Sequence, residues 1–210
     1  MAQYFSIHPT HPQARLVARA ADIVRGGGLI AYPTDSCYAL GCHLGDAQAL
    51  ERLRRMRGID QRHHLTLMCR DLAEIGKYAI IDDARYRLLK RVTPGSYTFI
   101  LRARRHVPRR LMHPRGKTIG VRVPGHPVAQ ALLAEVGEPM LSATLHLPGD
   151  AHPLAEATQI RRRLEHHLEL IIDAGSCGVE PSTVIDLSAE TPLVLRRGKG
   201  SLAPFAVEPV

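Results

Sequence analysis

No stretch of about 18 consecutive apolar residues occurs anywhere in the sequence, and the opening run MAQYFSIHPTHPQARLVARA mixes polar residues throughout. Neither a membrane span nor a secretory leader is expected, and the protein is placed in the cytoplasm on this reading. Cysteine is scarce: Cys37, Cys42, Cys69 and Cys177 are scattered, and no second pair follows Cys37 and Cys42 at a zinc-finger spacing. They read as reduced thiols, and no metal site is expected. Repeats, linkers and low-complexity tracts are also missing, as is any Ser-His-Asp spacing of the hydrolase kind. The most informative gap is of one charge sign. Between Ala84 and Ala134 there is no Asp or Glu, while the same stretch holds Arg85, Arg87, Lys90, Arg91, Arg102, Arg104, Arg105, Arg109, Arg110, Arg115, Lys117 and Arg122.

A solvated surface with no partner intersperses its charges, so this one-sided run points to phosphates, and hence to a nucleic acid. The whole chain agrees, with a net charge of +8 and a pI near 9.7. Of the 28 basic residues 24 are arginines, which a GC-rich genome could produce without any function. Such a bias replaces Lys by Arg; it does not remove acids.

At 210 residues and 45% hydrophobic content, the chain can bury one good core, and a single domain over 1–210 is expected. Apolar spacing and Gly or Pro stops predict helices in HPQARLVARAADIVRGGG, DAQALERLRRMRG (capped by Asp46, ended by Gly58), DDARYRLLKRVTPG, HPVAQALLAEVG and EATQIRRRLEHHLEL. Strands are predicted in LIAYPTDS, HLTLMCRD, SYTFILRA, KTIGVRVP, LIIDAG, STVIDLS and PLVLRRG. Helices and strands alternate, which argues an α/β or α+β twisted sheet with flanking helices.

In MLSATLHLPG, residues 140–149, a period of two puts Ser142, Thr144 and His146 on one face of an extended segment. That face could be a phosphate site, a catalytic site or the end of a strand. His63-His64 follow a charged loop, and His166-His167 lie on a polar helix with no assigned role.

Four stretches place polar residues at the ends of apolar strands, where α/β folds put their sites: YPTDSCYALG, MRGIDQRHHLTL, PGSYTFIL with GVRVPGHP, and LSATLHLPG with STVIDL. In this order and spacing, from about Gln13 to Gly198, they resemble the YrdC/YciO family, whose best known members make threonylcarbamoyl-adenylate for a tRNA modification. The resemblance implies an open twisted mixed α/β sheet with flanking helices and a large basic concave groove. It implies that Thr34 and Tyr38, in a loop like the family's Pro-Thr-Asp/Glu loop, line the substrate groove. Arg122 would face that groove, and Ser182 and Arg196 would lie near a bound nucleotide or amino acid. Arg57, His63, Ser142 and Thr144 complete the substrate-binding set.

Two places depart from the synthase pattern. Where the synthases carry Lys-x-Arg this chain has Arg57-Gly58-Ile59, and the Ser-x-Asn at the end of the strand is matched to Thr144-Leu145-His146. Losing an arginine fork from a desolvated anion site costs about 2–5 kcal/mol. His146 has no fixed donor-acceptor pair like that of Asn. These departures resemble the YciO branch of the family rather than the synthases.

Two functions are therefore carried forward. One is binding of tRNA or double-stranded RNA, with an altered pocket that retains adenylate or threonine recognition. Arg57, Arg122 and Arg196 then charge the pocket, and Arg102, Arg104, Arg105, Arg109, Arg110, Arg115 and Lys117 extend the footprint. The other is an enzyme. It is either a threonylcarbamoyl-AMP synthase using ATP with Mg, bicarbonate and threonine, or a hydrolase of the threonylcarbamoyl group with His146, or else His63 or His64, as general base.

Overall fold

A computed structural model of the chain describes residues 1–60, 62–114 and 116–205. The elements in chain order are β1 (Gln3–Ser6), α1 (Ala14–Arg25), β2 (Ile30–Tyr32), β3 (Ala39–His43), α2 (Ala47–Arg57), β4 (Thr66–Met68), α3 (Leu72–Tyr78) and α4 (Asp83–Val92). They continue with β5 (Tyr97–Arg102), β6 (Thr118–Arg122), α5 (Pro127–Val136), β7 (Met140–Thr144), α6 (Ala157–Leu164), β8 (Leu170–Asp173), β9 (Thr183–Asp186) and β10 (Leu193–Arg196). All ten strands join one mixed sheet in the order β1-β8-β2-β3-β7-β4-β6-β5-β9-β10.

The helix ends follow local chemistry. The Asp46 carboxylate accepts from the amide of Ala49 at 2.8 Å and starts α2; Gly58, at φ 60°, stops it in the left-handed region that a side chain disfavours. Asp82 caps α4 through the amide of Arg85, and α5 opens on Pro127 and closes on Gly137. The predicted helix through EATQIRRRLEHHLEL is shorter than its pattern, stopping at Leu164.

Three elements were not foreseen. The residues of β3, ALGCH, are poor strand formers, and the strand exists because it is hydrogen-bonded on both sides, by β2 and β7. α3 has only seven residues, too few for a periodic signal, and β1 is an edge strand of four held by β8.

Alternation along the strands separates two apolar layers. Leu29, Ala31, Leu40, Cys42, Leu67, Val121, Leu141 and Ile171 point to one face, under α2, α3, α4 and α6. Ile30, Tyr32, Ala39, Met68, Met140, Leu170 and Ile172 point to the other. That second face is covered by α1, through Val17, Ala20, Ala21 and Val24, and by α5, through Val128, Ala129, Leu132 and Leu133. No described helix is long and apolar enough to cross a membrane.

Candidate functional site

The second face continues beyond the two helices, and there its side chains change character. On β7, Met140 is in the covered layer, and the next two residues of the same face are Ser142 and Thr144. Ser142 stands opposite Thr66, Thr66 opposite Gly120, and Gly120 opposite Ile100, so the face passes through β4, β6 and β5 to Thr98, which stands opposite Val184 on β9. Thr66, Thr98, Ile100, Ser142, Thr144 and Val184 floor a cavity of about 260 Å³.

One wall is the loop between β2 and β3, with Thr34, Ser36, Cys37 and Tyr38; the chain leaving α2 supplies Arg57, Arg62, His63 and His64; β10 supplies Leu195 and Arg196. All nine of the substrate-binding positions expected from the sequence line this groove: Thr34, Tyr38, Arg57, His63, Arg122, Ser142, Thr144, Ser182 and Arg196.

The hydroxyls are held in defined directions. Tyr32 donates its phenol to Ser142 Oγ at 2.9 Å, and Ser142 donates to the Leu40 carbonyl at 2.9 Å. The Tyr32 ring lies so close over Gly41 that a Cβ there would sit 2.7 Å from it. Thr34 Oγ1 donates to the Cys37 carbonyl at 2.6 Å and closes the loop on itself, while Thr98 and Ser182 share a hydrogen bond of 2.8 Å. The Tyr38 phenol donates to the Gly175 carbonyl at 2.8 Å.

Arg122 is 6% exposed and fixes the loop, donating to Asp35 Oδ1 at 2.7 Å and to Ser36 Oγ at 3.0 Å. Burial pushes the Asp35 carboxyl up, but Arg122, the Ser96 hydroxyl and the Gly125 amide outweigh it and hold the group below its ordinary range. Asp35 lies in the quoted YPTDSCYALG and was not selected as a site residue; in the fold it anchors Arg122.

Arg196 forks onto the Ser182 carbonyl at 3.1 and 2.9 Å. Burial, and then the charge of Arg196, depress Arg57; burial, followed by the charges of Arg57 and Arg196, depresses His63. Mutual repulsion among cations is thus built into the groove. The buried Nε of Arg57 and the buried Nε of Arg122 have no hydrogen-bond partner, and no carboxylate is among the described residues lining the groove. Such a site suits an anion with several acceptor oxygens.

His146 is not part of this arrangement. β7 ends at Thr144, the chain turns, and the His146 ring bonds through Nε2 to the Asp150 carbonyl at 2.8 Å. A Ser-x-Asn pattern with both side chains in the groove therefore falls on Ser142 and Thr144, two residues earlier than the match made on sequence. Thr144, not His146, occupies the second position. Ile59 is partly buried against the large apolar core. Arg62, Ser36, Thr66 and Thr98 were not selected from sequence; Arg62 lies in the quoted MRGIDQRHHLTL, where its charge beside His63 was the available signal.

The basic run is split by the fold. Arg85 is ion-paired with Asp82 and donates to the Leu187 carbonyl, and Arg122 is spent on Asp35, so neither adds to an outer surface. Arg102 donates to the Ser188 carbonyl and lines a separate cavity with Asp82 and Glu190. Arg87, Lys90 and Arg91 lie on α4, and the other six belong to the long connection between the antiparallel strands β5 and β6. Its base is closed by the Ala103 amide on the Lys117 carbonyl, and Val107 and Leu111 plug it into the core. Arg104, Arg105, Arg109, Arg110 and Lys117 stand exposed on it, and Arg115 lies outside the described residues. His113 of this loop stacks on His64 at the groove mouth, with ring centroids 4.3 Å apart, so the basic loop and the groove adjoin.

Residues 22–198 match the family model Sua5_yciO_yrdC, described as telomere recombination. The chain is 52% identical over 205 residues to the protein YciO of Escherichia coli strain K12, covering 98% of this chain and 100% of that one. It is 35% identical over 182 residues to the threonylcarbamoyl-AMP synthase of Chromobacterium violaceum, covering 86% and 93%. The crystal structure of E. coli YciO superposes with a TM-score of 0.94 at 52% identity, covering 98% of this chain and 100% of that one. P. abyssi Sua5 complexed with L-threonine gives 0.85 at 27% identity, over 93% of this chain and 57% of that longer one. The chain belongs to the Sua5/YciO/YrdC family and is related to the threonylcarbamoyl-AMP synthases.

Proposed function

We propose that the groove holds an adenylate or a threonylcarbamoyl group and that the exposed loop binds tRNA or double-stranded RNA. The protein would thereby act in the chemistry of threonylcarbamoyladenosine in tRNA without being an efficient threonylcarbamoyl-AMP synthase. The observation that carries this reading is the convergence of Arg57, Arg62, Arg122 and Arg196 on a hydroxyl-floored groove, with two buried guanidinium N–H groups unpaired. Phosphate or carboxylate oxygens satisfy the arginines, and ribose or carbamoyl groups match Ser142, Thr144, Thr98 and Ser182. The threonine bound by a related Sua5 supports an amino-acid portion of the ligand. ATP is a candidate substrate. With no carboxylate among the described lining residues, a Mg ion has no ligand set in the groove and would enter on the phosphates themselves.

Ile59 argues against efficient synthesis, because it offers no cation where the synthases carry an arginine. A second reading, hydrolysis of the threonylcarbamoyl group, is favoured by one observation. His63 lines the groove and is kept neutral by burial and by Arg57 and Arg196, as a general base must be.

Calorimetry with AMP, ATP and threonine tests the groove: at least one should bind in the micromolar to millimolar range. Filter binding of tRNA tests the loop, and affinity should fall roughly a thousandfold between about 50 and 200 mM salt if six or so phosphates are contacted. No binding of any of the three small molecules overturns the groove reading. Flat salt dependence overturns the RNA reading. Incubation with threonylcarbamoyl-modified tRNA separates hydrolysis from binding alone.

A further inference from the structure

A second cation cluster lies outside the groove, between α2 and the short turn Arg109–Leu111 of the basic loop. It surrounds a cavity of about 260 Å³ lined by Ala47, Glu51, Arg54, Arg109, Arg110 and apolar neighbours. Arg54 is the unusual member, because it is only 9% exposed. Nη1 of Arg54 donates to Glu51 Oε1 at 2.7 Å, and its Nη2 reaches the Arg110 carbonyl only at 3.5 Å. The Arg54 Nε–H is buried with no partner. Glu51 is itself largely exposed and balances one charge, and the Asp46 carboxylate at this helix end is committed to the Ala49 amide. Arg109 and Arg110 stand exposed on the other side and leave the cavity positive.

We propose that this cavity is a second phosphate-binding site. One oxygen accepts from Arg54 Nε, and the exposed guanidinium groups of Arg109 and Arg110 close over the others. A buried guanidinium with one N–H unmet is costly unless an acceptor arrives, and a phosphate supplies several acceptor oxygens with the charge that the cavity lacks. Either the backbone of an RNA lying along the loop or free phosphate presents this chemistry; only the first source rests on the RNA reading given above.

The test is the Nε–Hε signal of Arg54 in arginine-labelled protein, identified by its loss in Arg54→Lys. Inorganic phosphate and a short RNA duplex are the two probes, titrated at low salt. The expected result is a shift of this signal with at least one probe. The matching affinity should weaken tenfold or more in Arg109→Ser/Arg110→Ser, whose exposed side chains can change without disturbing the core. If neither probe moves the Arg54 signal, or the double variant binds both as wild type does, the site does not exist. If phosphate too leaves the signal unmoved, RNA that binds without moving it overturns this site and leaves the RNA reading standing. Phosphate that moves it while RNA fails to bind supports this site and overturns that reading.

Discussion

One sheet face serves two opposite purposes in this protein. Under α1 and α5 it presents Ile30, Tyr32, Met140, Leu170 and Ile172, all closed to solvent; beyond the helices it presents Ser142, Thr144, Thr66, Thr98 and Arg122 around a cavity. The strand β7 takes part in both, with Met140 in the first half and Ser142 and Thr144 in the second. Only the chemistry of alternate residues changes. The covered half gains stability by removing apolar surface from water, while the open half holds cations close together and leaves donors unpaired, which costs stability and prepares a ligand site. Tyr32 marks the border: its ring is packed in the covered half, and its hydroxyl orients Ser142 in the open one.

The largest expected effect tests the covered half. Leu132 of α5 is 1% exposed between the helix pair and the sheet, and Leu132→Ala should lower unfolding free energy by about 2–5 kcal/mol. Urea unfolding gives that number, and calorimetry below the transition should find AMP affinity unchanged. A loss of affinity equal to the loss of stability would mean that the two halves are not separable.

In the open half the sign of the stability effect should reverse. Arg57→Ala removes a partly buried cation with an unpaired Nε that sits beside Arg196, so the free protein should be as stable as wild type or slightly more so. Affinity for the anionic ligand should fall by about 1.5–3 kcal/mol. If Arg57→Ala is strongly destabilising and binds as wild type does, the arginine belongs to the scaffold, and the contrast between the halves fails.

Acid should act on the open half through His64. Burial, then the neighbouring His113, hold the His64 imidazole down to about 4 from an ordinary 6.5. Between those two values the unfolded chain takes up a proton that the folded chain refuses, so stability falls as pH drops through that window. Allowing for partial solvent access, the loss is roughly 1–2 kcal/mol. Asp35 adds a further loss at lower pH: its depressed carboxyl stabilises the fold above 3.8, and that contribution disappears as pH falls through its folded value. Urea midpoints at pH 7 and pH 5 should move apart in wild type and less in His64→Gln. An equal shift in both would assign the acid response to other groups. Ligand binding has the opposite dependence, because protonating His63 adds a cation to the groove, and AMP should bind more tightly as pH falls below about 6.5.

The elements with strong local signals were legible in the sequence. Asp46 and Gly58 bound α2 as their chemistry dictates, and Tyr97 to Ile100 form a strand on propensity alone. β3 was not legible, because Ala39, Gly41 and Cys42 carry no strand signal; its pairing with β2 and β7 is a tertiary fact. The groove residues came from the order of motifs and not from periodicity, which explains both what was found and what was missed. Arg62 and Thr66 enter the groove through the path of the chain after α2, which no local pattern encodes. The acid-free run became a surface only in part, since Asp35 reaches Arg122 from another segment and Asp82, just before the run, takes up Arg85.

The smallest expected effect concerns the position that sequence matching put in the groove. Three residues on β7 and just beyond it, Ser142, Thr144 and His146, share a period of two, but the strand ends between the second and the third. His146 turns onto the Asp150 carbonyl, so His146→Asn should change AMP affinity by less than about 0.5 kcal/mol, the range of a substitution that touches no ligand. Thr144→Asn should behave differently, because Thr144 lines the groove beside Ala143 and Ser142. Combined with Ile59→Arg, it rebuilds both positions at which the chain departs from the synthase pattern. If both restored groups grip one polyanionic reactant, their effects on threonylcarbamoyl-adenylate formation from ATP, bicarbonate and threonine should exceed the sum of the single changes. A cycle in which His146→Asn couples to Ile59→Arg while Thr144→Asn does not would place the histidine in the reacting site after all, and would mean that the turn after β7 rearranges when ligand enters.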